Sequence, residues 1–482
     1  MAKKMKLNKK EYLNKMHGCW IGKNIGGTLG DPYEGKKEML NITGFTTAKG
    51  EAAPNDDLDL QLVWLKAMQS VGPKAMSANV LSYYWQTHIT PYWNEYGVTM
   101  GNLDVGFLPP LSGEMNNAKW KTSNGAWIRS EIWACLAPGI PNIAIKYAIM
   151  DASVDHGLGE GTYAEIFTAA LESMAFFESD IRKLINIGLS YIPADCRIAR
   201  SIKIVLDGYD NNLDWKEVRN QLLKESEDIG WFQAPANIGY TVIGLLYGEG
   251  DFKKSLFYTI NCGDDTDCTG ATCGAILGII LGADKIPDDW KEYIGDVIRT
   301  KCINGTYVRR LPKTCTELVE RIYNLTPDVL YEYGISLEYS DDEASFGDIV
   351  PSEILKGQKE EFFTRSPYSF EIPCVPHTNA IVEYDEEPVV KPGCDFKVRV
   401  RLRNMLETYY YHEVTVSLPE GWTADYSRTC YVKQQGDLNK DAGVWEMIIH
   451  VGENVAPVNR VSVMFSARLC VTPVMIPITI LG

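Results

Sequence analysis

Glycines at positions 18, 22, 26 and 30 recur every four residues, and so do those at 270, 274, 278 and 282. On a helix this spacing keeps them near one face, drifting by about 40° per step. Each costs about 1 kcal/mol against alanine in a helix interior. Four in register need a compensation, and close approach of a second backbone supplies one. Lys23 and Asn24 in the first ladder and the shortness of the second exclude the membrane form of this motif. The spacing predicts two centrally buried helices, packed against each other, with the glycines in a structural role.

Around the ladders the chain reads as helix up to about residue 335. KEYLNKMHGCWIGKNIGG, DLQLVWLKAMQSV, GTYAEIFTAALESMAFFES and WKEVRNQLLKESED place apolar residues at three- and four-residue intervals. No alternating β-branched run occurs there, so this half reads as nearly all-α. The tail differs: FKVRVRLRN, YHEVTVSLP, VWEMIIHVG and RVSVMFSARL read as strands, bounded by KPG, LPEGW and GDLNKDAG. The expected fold is an all-α bundle over 1–335, an acidic connector over 336–390 and a small immunoglobulin-like β-sandwich over 391–482. The connector alone carries 13 acids and 3 bases, most of the net charge of −16.

That acidic balance excludes duplex nucleic acid and anionic membrane as main partners. No apolar run nears the roughly 20 residues a bilayer requires, and MAKKMKLNKKEYLNKM has no apolar stretch to make it a secretory leader. The 12 cysteines include no C-x-x-C pair, which fits a reduced, cytoplasmic protein.

The acids that point to chemistry are few. Asn55-Asp56-Asp57-Leu58-Asp59 precedes one apolar helix, and Asp264-Asp265-Thr266-Asp267 precedes the second ladder. A helix start needs one such side chain as a cap, and surplus carboxylates repel unless a cation intervenes. A hard, oxygen-liganded ion such as Mg²⁺ suits the pattern; surplus capping suits it equally on spacing alone. Asp264 reads as a solvated helix-start acid. His156 is the one histidine in a glycine-flanked polar loop. H-E-x-x-H, G-x-S-x-G and phosphate-loop motifs are missing.

Five segments, in order, resemble the ADP-ribosylglycohydrolases of the dinitrogenase-reductase-activating type. GCWIGKNIGGTLGDPYEG is similar to their opening helix, NDDLDLQLVWL to a Thr-Asp-Asp-Thr segment and SNGAWIRSEIW to an Asn-Gly-x-x-Met-Arg segment. VDHGLGEGTYAE resembles a Thr-His segment, and CGDDTDCTGATCGAILGIILGADKIPDDW the closing Gly-Gly-Asp-x-Asp-Thr signature. The resemblance covers roughly residues 10–300 and omits the β-rich tail. It implies two Mg²⁺ ions and hydrolysis of the bond between an anomeric ribose carbon and its acceptor. Carried over, the metal ligands are Asn55, Asp56, Asp57, Asp265 and Asp267, and the catalytic carboxylates are Glu34, Asp57 and Asp265. Asn124, Gly125 and His156 would lie against the substrate, a ribosyl-containing small molecule or an ADP-ribosylated protein.

The sequence departs from the family at defined places. Asn55 and Leu58 replace threonines, Cys268 replaces a ligating threonine, and Gly27 replaces an aspartate. A thiol is a poor Mg²⁺ ligand, which implies one weakened ion site or a single ion, with Asp59 as a compensating carboxylate. Lys119–Ser123 replaces a glycine-rich run near the diphosphate. The alternatives are a glycosidase for another furanoside or nucleoside-like substrate, using Trp85, Trp93, Trp120 and Trp127 for stacking, and a non-catalytic binding protein. The sandwich is expected to mediate self-association or partner contact.

Overall fold

The computed structural model describes every residue except 1–2, 306–307, 375–376, 407, 434–442 and 469. Helix α1 (Lys9–Gly30) starts at Asn8, whose Oδ1 accepts the Glu11 N–H at 2.9 Å. It runs antiparallel to the helix Thr266–Leu281, and the ladders mesh: Gly18 meets Gly278, Gly22 meets Gly274 and Gly26 meets Gly270. A Cβ on any of these six would overlap the facing glycine's carbonyl oxygen or crowd it. Gly282 departs from the pattern, ending its helix at φ +75° beside Asn14, while Gly30 lies against the Thr266 carbonyl. This pair forms the centre of a helical layer whose buried core includes Trp20, Trp64, Trp85, Trp127 and Trp133. Among the described residues, no helix is long and apolar enough to cross a membrane. Every cysteine whose side chain is described is free.

The tail forms two antiparallel sheets. One has the order β11 (Val474–Leu481), β10 (Val458–Ser466), β6 (Tyr410–Ser417), β8 (Thr429–Val432). The other runs β3 (Ser369–Cys374), β4 (Thr378–Tyr384), β5 (Asp395–Asn404), β9 (Val444–His450), β7 (Thr423–Tyr426). Inward-facing Val398, Val400, Met447, Val463 and Ile476 share one core between them. Most of the GDLNKDAG boundary lies outside the described residues.

Two boundaries differ from the sequence reading. The sheet reaches back to Ser369, so the 336–390 stretch is more than a connector. Phe370, Ala380, Val382 and Tyr384 face the core there, but Glu371, Pro373 and Glu383 between them mask the alternation. The helical half is also joined by a parallel pair, β1 (Lys3–Asn8) on β2 (Ile335–Ser340). In β1 only Met5 and Leu7 are buried, and Lys6 separates them.

The two domains share packing. Phe107, Leu111 and Met115 of the helical domain enter the sandwich core. Thr479 Oγ1 donates to the Gly106 carbonyl at 3.1 Å, and Asn79 Nδ2 to the Glu371 carbonyl at 2.9 Å.

Candidate active site

Helix α2 (Asp56–Val71) and the helix Thr266–Leu281 both begin at one cavity of about 280 Å³. Asp56, Asp265, Asp267 and Cys268 line it together with Glu34, which ends the single 3-10 turn Asp31–Tyr33 after α1. The ladder brings these ends together, and Thr266 Oγ1 donates to the Gly30 carbonyl at 2.8 Å. Ligand atoms of Asp265, Asp267 and Cys268 lie within 4.8 Å of one another. Asp265 occupies the cap position but makes no capping bond with its side chain. Asp57 Oδ2, Asp265 Oδ1 and Asp267 Oδ1 are buried and have no hydrogen-bond partner. Orphaned buried carboxylate oxygens are costly, and a divalent cation is the group they fit. Two helix N-termini also favour the accumulated anions.

The electrostatics follow from crowding. Burial and the neighbouring Asp57 push Asp267 up to about 7. Burial raises Asp57 to about 7 against the pull of Lys23. Asp265 is raised well above the carboxylate range by burial and by Asp267. Glu34 reaches about 7, chiefly through Asp267 and then through burial. Beneath α2, buried Lys23 contacts Glu131 Oε1 and the Ile128 carbonyl, each at 2.7 Å. Gln61 Nε2 donates to Glu131 Oε2 at 2.9 Å and to the Asp57 carbonyl at 2.8 Å.

A second row holds the first. Asn124 Nδ2 donates to Asp265 Oδ2 at 2.7 Å, while its Oδ1 accepts the Trp127 indole N–H at 3.1 Å. Both ends of Asn124 are therefore spent on orienting Asp265. Gly125 leaves room for Glu95, whose carboxylate a Cβ there would overlap. The Gly125 carbonyl accepts from Arg129, a buried guanidinium that also binds Asp151 at 2.7 Å and Asp155 at 2.6 Å. His156 is fully buried and does not line the cavity. Its Nε2 is 3.0 Å from Ser123 Oγ, and its Nδ1 is 3.0 Å from Asp155 Oδ1. It supports the Ser123 wall from behind.

This arrangement is matched by a known family. The ADP-ribosylglycohydrolase family model covers residues 8–328. The chain belongs to the ADP-ribosylglycohydrolase family. A curated relative, the ADP-ribosyl-[dinitrogen reductase] glycohydrolase of Rhodospirillum rubrum, is 40% identical over 50 residues. That match spans 10% of this chain and 17% of the relative. A solved structure titled ADP-ribosylglycohydrolase-related protein complex covers 67% of this chain and 99% of its own, at 18% identity and a TM-score of 0.45. The GAE domain of GGA2p from Saccharomyces cerevisiae covers 24% of this chain and 96% of its own, at 12% identity and a TM-score of 0.16.

The glycohydrolase domain explains several of its departures from the family pattern. Asn55 Oδ1 accepts the Asp57 N–H at 2.7 Å, so Asn55 caps α2, and its amide abuts Gly27. A side chain at 27 would overlap that amide, which couples the two replacements. Asp59 Oδ2 accepts the Lys301 N–H at 2.6 Å and the Cys302 N–H. It is a structural acid, absent from the cavity lining. Asp264 is not solvated: it is buried at φ +71°, and its Oδ1 accepts the Phe232 N–H at 2.8 Å. Cys268 Sγ lies 3.3 Å from Asp57 Oδ1, to which its thiol donates.

Two lining residues have no sequence signal. Glu95 follows Trp93-Asn94 at a helix start, is 6% exposed and keeps Oε2 unpartnered. Burial raises it to about 6, with His156 pulling against that shift. Lys301 lies in a loop, and its ammonium is 3.8 Å from Asp56 Oδ1. Of the four tryptophans read as stacking surfaces, Trp93 lines the cavity, whereas Trp85 and Trp127 are fully buried core.

Proposed function

We propose that this protein is a divalent-cation-dependent hydrolase that cleaves the glycosidic bond at the anomeric carbon of an ADP-ribosyl or related ribosyl group. The observation that carries the reading is the set of three buried, unpartnered carboxylate oxygens on Asp57, Asp265 and Asp267. These three acids would hold the ion, with Asp56 beside them in the cavity lining; an oxygen-rich donor set suits Mg²⁺. When bound, such an ion orients ribose hydroxyls and makes water more acidic. Glu34, with a pKa of about 7, has the basicity to take a proton from the attacking water. Glu95, ionised at neutral pH, stabilises the positive charge of an oxocarbenium-like transition state. Asn124 holds Asp265 in place, and Trp93, Tyr96 and Phe232 supply apolar walls.

One observation favours a second reading on the same scaffold, a less anionic ribofuranoside. Lys301 is the one basic residue among those lining the cavity. Lys121 and Thr122, in the segment where the family approaches a diphosphate, are tied to Glu114 and Gln233.

The test incubates the full chain with Mg²⁺ and ADP-ribosyl-arginine, ADP-ribosyl-serine, nucleosides and aryl furanosides, then repeats it with EDTA and with Asp265→Ala. Turnover of an ADP-ribose conjugate that is lost in both controls is the expected result. Turnover of furanosides alone selects the second reading. Activity that survives chelation and the substitution sinks the metal mechanism.

A further inference from the structure

Glu95 apart, the acids in the cavity lining and Asp57 just behind it fall into two sets. The inner set, Asp57, Asp265 and Asp267, presents the three orphaned oxygens. The outer set, Asp56 and Glu34, already has a cation close by. Lys301 Nζ stands 3.8 Å from Asp56 Oδ1 and 5.8 Å from the centre of the Trp93 ring. Its position is built into the fold, because both the Lys301 and Cys302 N–H groups bind Asp59 of α2. The Cys302 carbonyl accepts from Thr90 N and Oγ1, each at 2.9 Å, which pins the loop from its other side.

A divalent ion seated against Asp56 would face this ammonium across a few ångströms. Like charges at that range repel strongly in a partly buried site. The inner set also offers a second ion little, since the Cys268 thiol stands beside Asp57 where a hard ion needs oxygen. We propose that Lys301 takes the place of a second metal ion: the protein binds one divalent cation at Asp57, Asp265 and Asp267, while the lysine neutralises Asp56 and Glu34. The inference rests on the metal-dependent reading above and adds to it a count and an occupant. It makes Lys301 a positioning residue, which sets the charge and spacing of the outer carboxylates without a metal there.

Mn²⁺ serves as the probe, with stoichiometry read by titration calorimetry and the ion environment by electron paramagnetic resonance. Wild type is expected to bind one equivalent and to give the spectrum of an isolated ion. Lys301→Met is expected to admit a second equivalent, its affinity at least about tenfold above any second binding in wild type, with a spectrum broadened by ion–ion coupling. Lys301→Arg keeps the charge and should stay at one, and Lys301→Gln repeats the test should the methionine variant fail to fold. Two equivalents in wild type overturn the inference and leave the metal-dependent reading intact. One equivalent in folded Lys301→Met also overturns it. No binding by any of these proteins sinks the metal-dependent reading and this inference together.

Discussion

At the start of α2, Asn55 caps the helix through the Asp57 N–H, and Asp59 turns away to hold the Lys301–Cys302 backbone. At the start of Thr266–Leu281, the residue in the cap position makes no side-chain capping bond, and Asp265 and Asp267 keep oxygens unpartnered. Both segments are runs of acids before an apolar helix. In the first, Asn55 and Asp59 bind backbone N–H groups, although Asp57 Oδ2 and Asp59 Oδ1 stay unpartnered; among the acids of the second, Asp264 alone binds the backbone, at Phe232. Unpartnered carboxylate oxygens that gather at a cavity mark a ligand site, whereas an acidic run does not, nor does a lone unpartnered oxygen such as Asp59 Oδ1 away from the lining.

Substitutions separate the two roles. Asp267→Asn should give the largest effect, an activity loss on the order of 10³-fold. Its thermal midpoint without metal should hold or rise, because a buried, unpaired carboxyl has been neutralised. A midpoint falling together with activity would make Asp267 a structural acid like Asp59.

The pH response comes next. Asp57, Asp267 and Glu34 have folded-state pKa values of about 7 against ordinary values of 3.8, 3.8 and 4.5. Between those limits the folded state binds more protons than the unfolded chain, so stability falls as pH rises from about 4 to about 7. In EDTA the melting temperature should therefore drop by about 5 °C across that window. Saturating Mn²⁺ should flatten the slope, since the ion replaces the protons. A slope indifferent to metal would detach the inner acids from cation binding.

The smallest effects belong to the cap and the loop anchor. Asp59→Asn should cost about 2 kcal/mol by weakening two charge-assisted amide contacts, and Asn55→Ala about 1 kcal/mol. Both are read by urea melts of the metal-bound protein. Neither should change metal stoichiometry; a loss of binding in Asn55→Ala would return Asn55 to the ligand set.

The helical half and its central glycine pair were legible because four-residue spacing permits few other structures. The acids were legible as a group, and the family pattern pointed to Glu34, Asp56, Asp57, Asp265 and Asp267, all of which except Asp57 line the cavity. Their division of labour was not, since a loop anchor such as Asp59 and a proposed ion ligand such as Asp267 are the same residue type. His156 shows the same limit: no residue of its loop lines the cavity, and the ring lies behind Ser123. Glu95 and Lys301 left no trace in sequence because each stands alone in a loop or at a helix start, and only folding across long separations brings them to the cavity. Strands β3 and β4 were hidden by acids on their outward faces, and β11 by Pro477, which an edge strand tolerates.

The meshed glycines also make the alignment of the two central helices discontinuous. Sliding α1 by one residue moves it only about 1.5 Å, but it drives side chains into the facing carbonyls. The next slide that again sets glycine opposite glycine is four residues, or about 6 Å. Between those positions lies a barrier of overlapping backbone, so thermal motion cannot gradually blur the spacing from Glu34 to Asp265 and Asp267. The interval between Glu34 and the two aspartates is set in whole steps, as on a ratchet, and one tooth away these carboxylates no longer share a cavity.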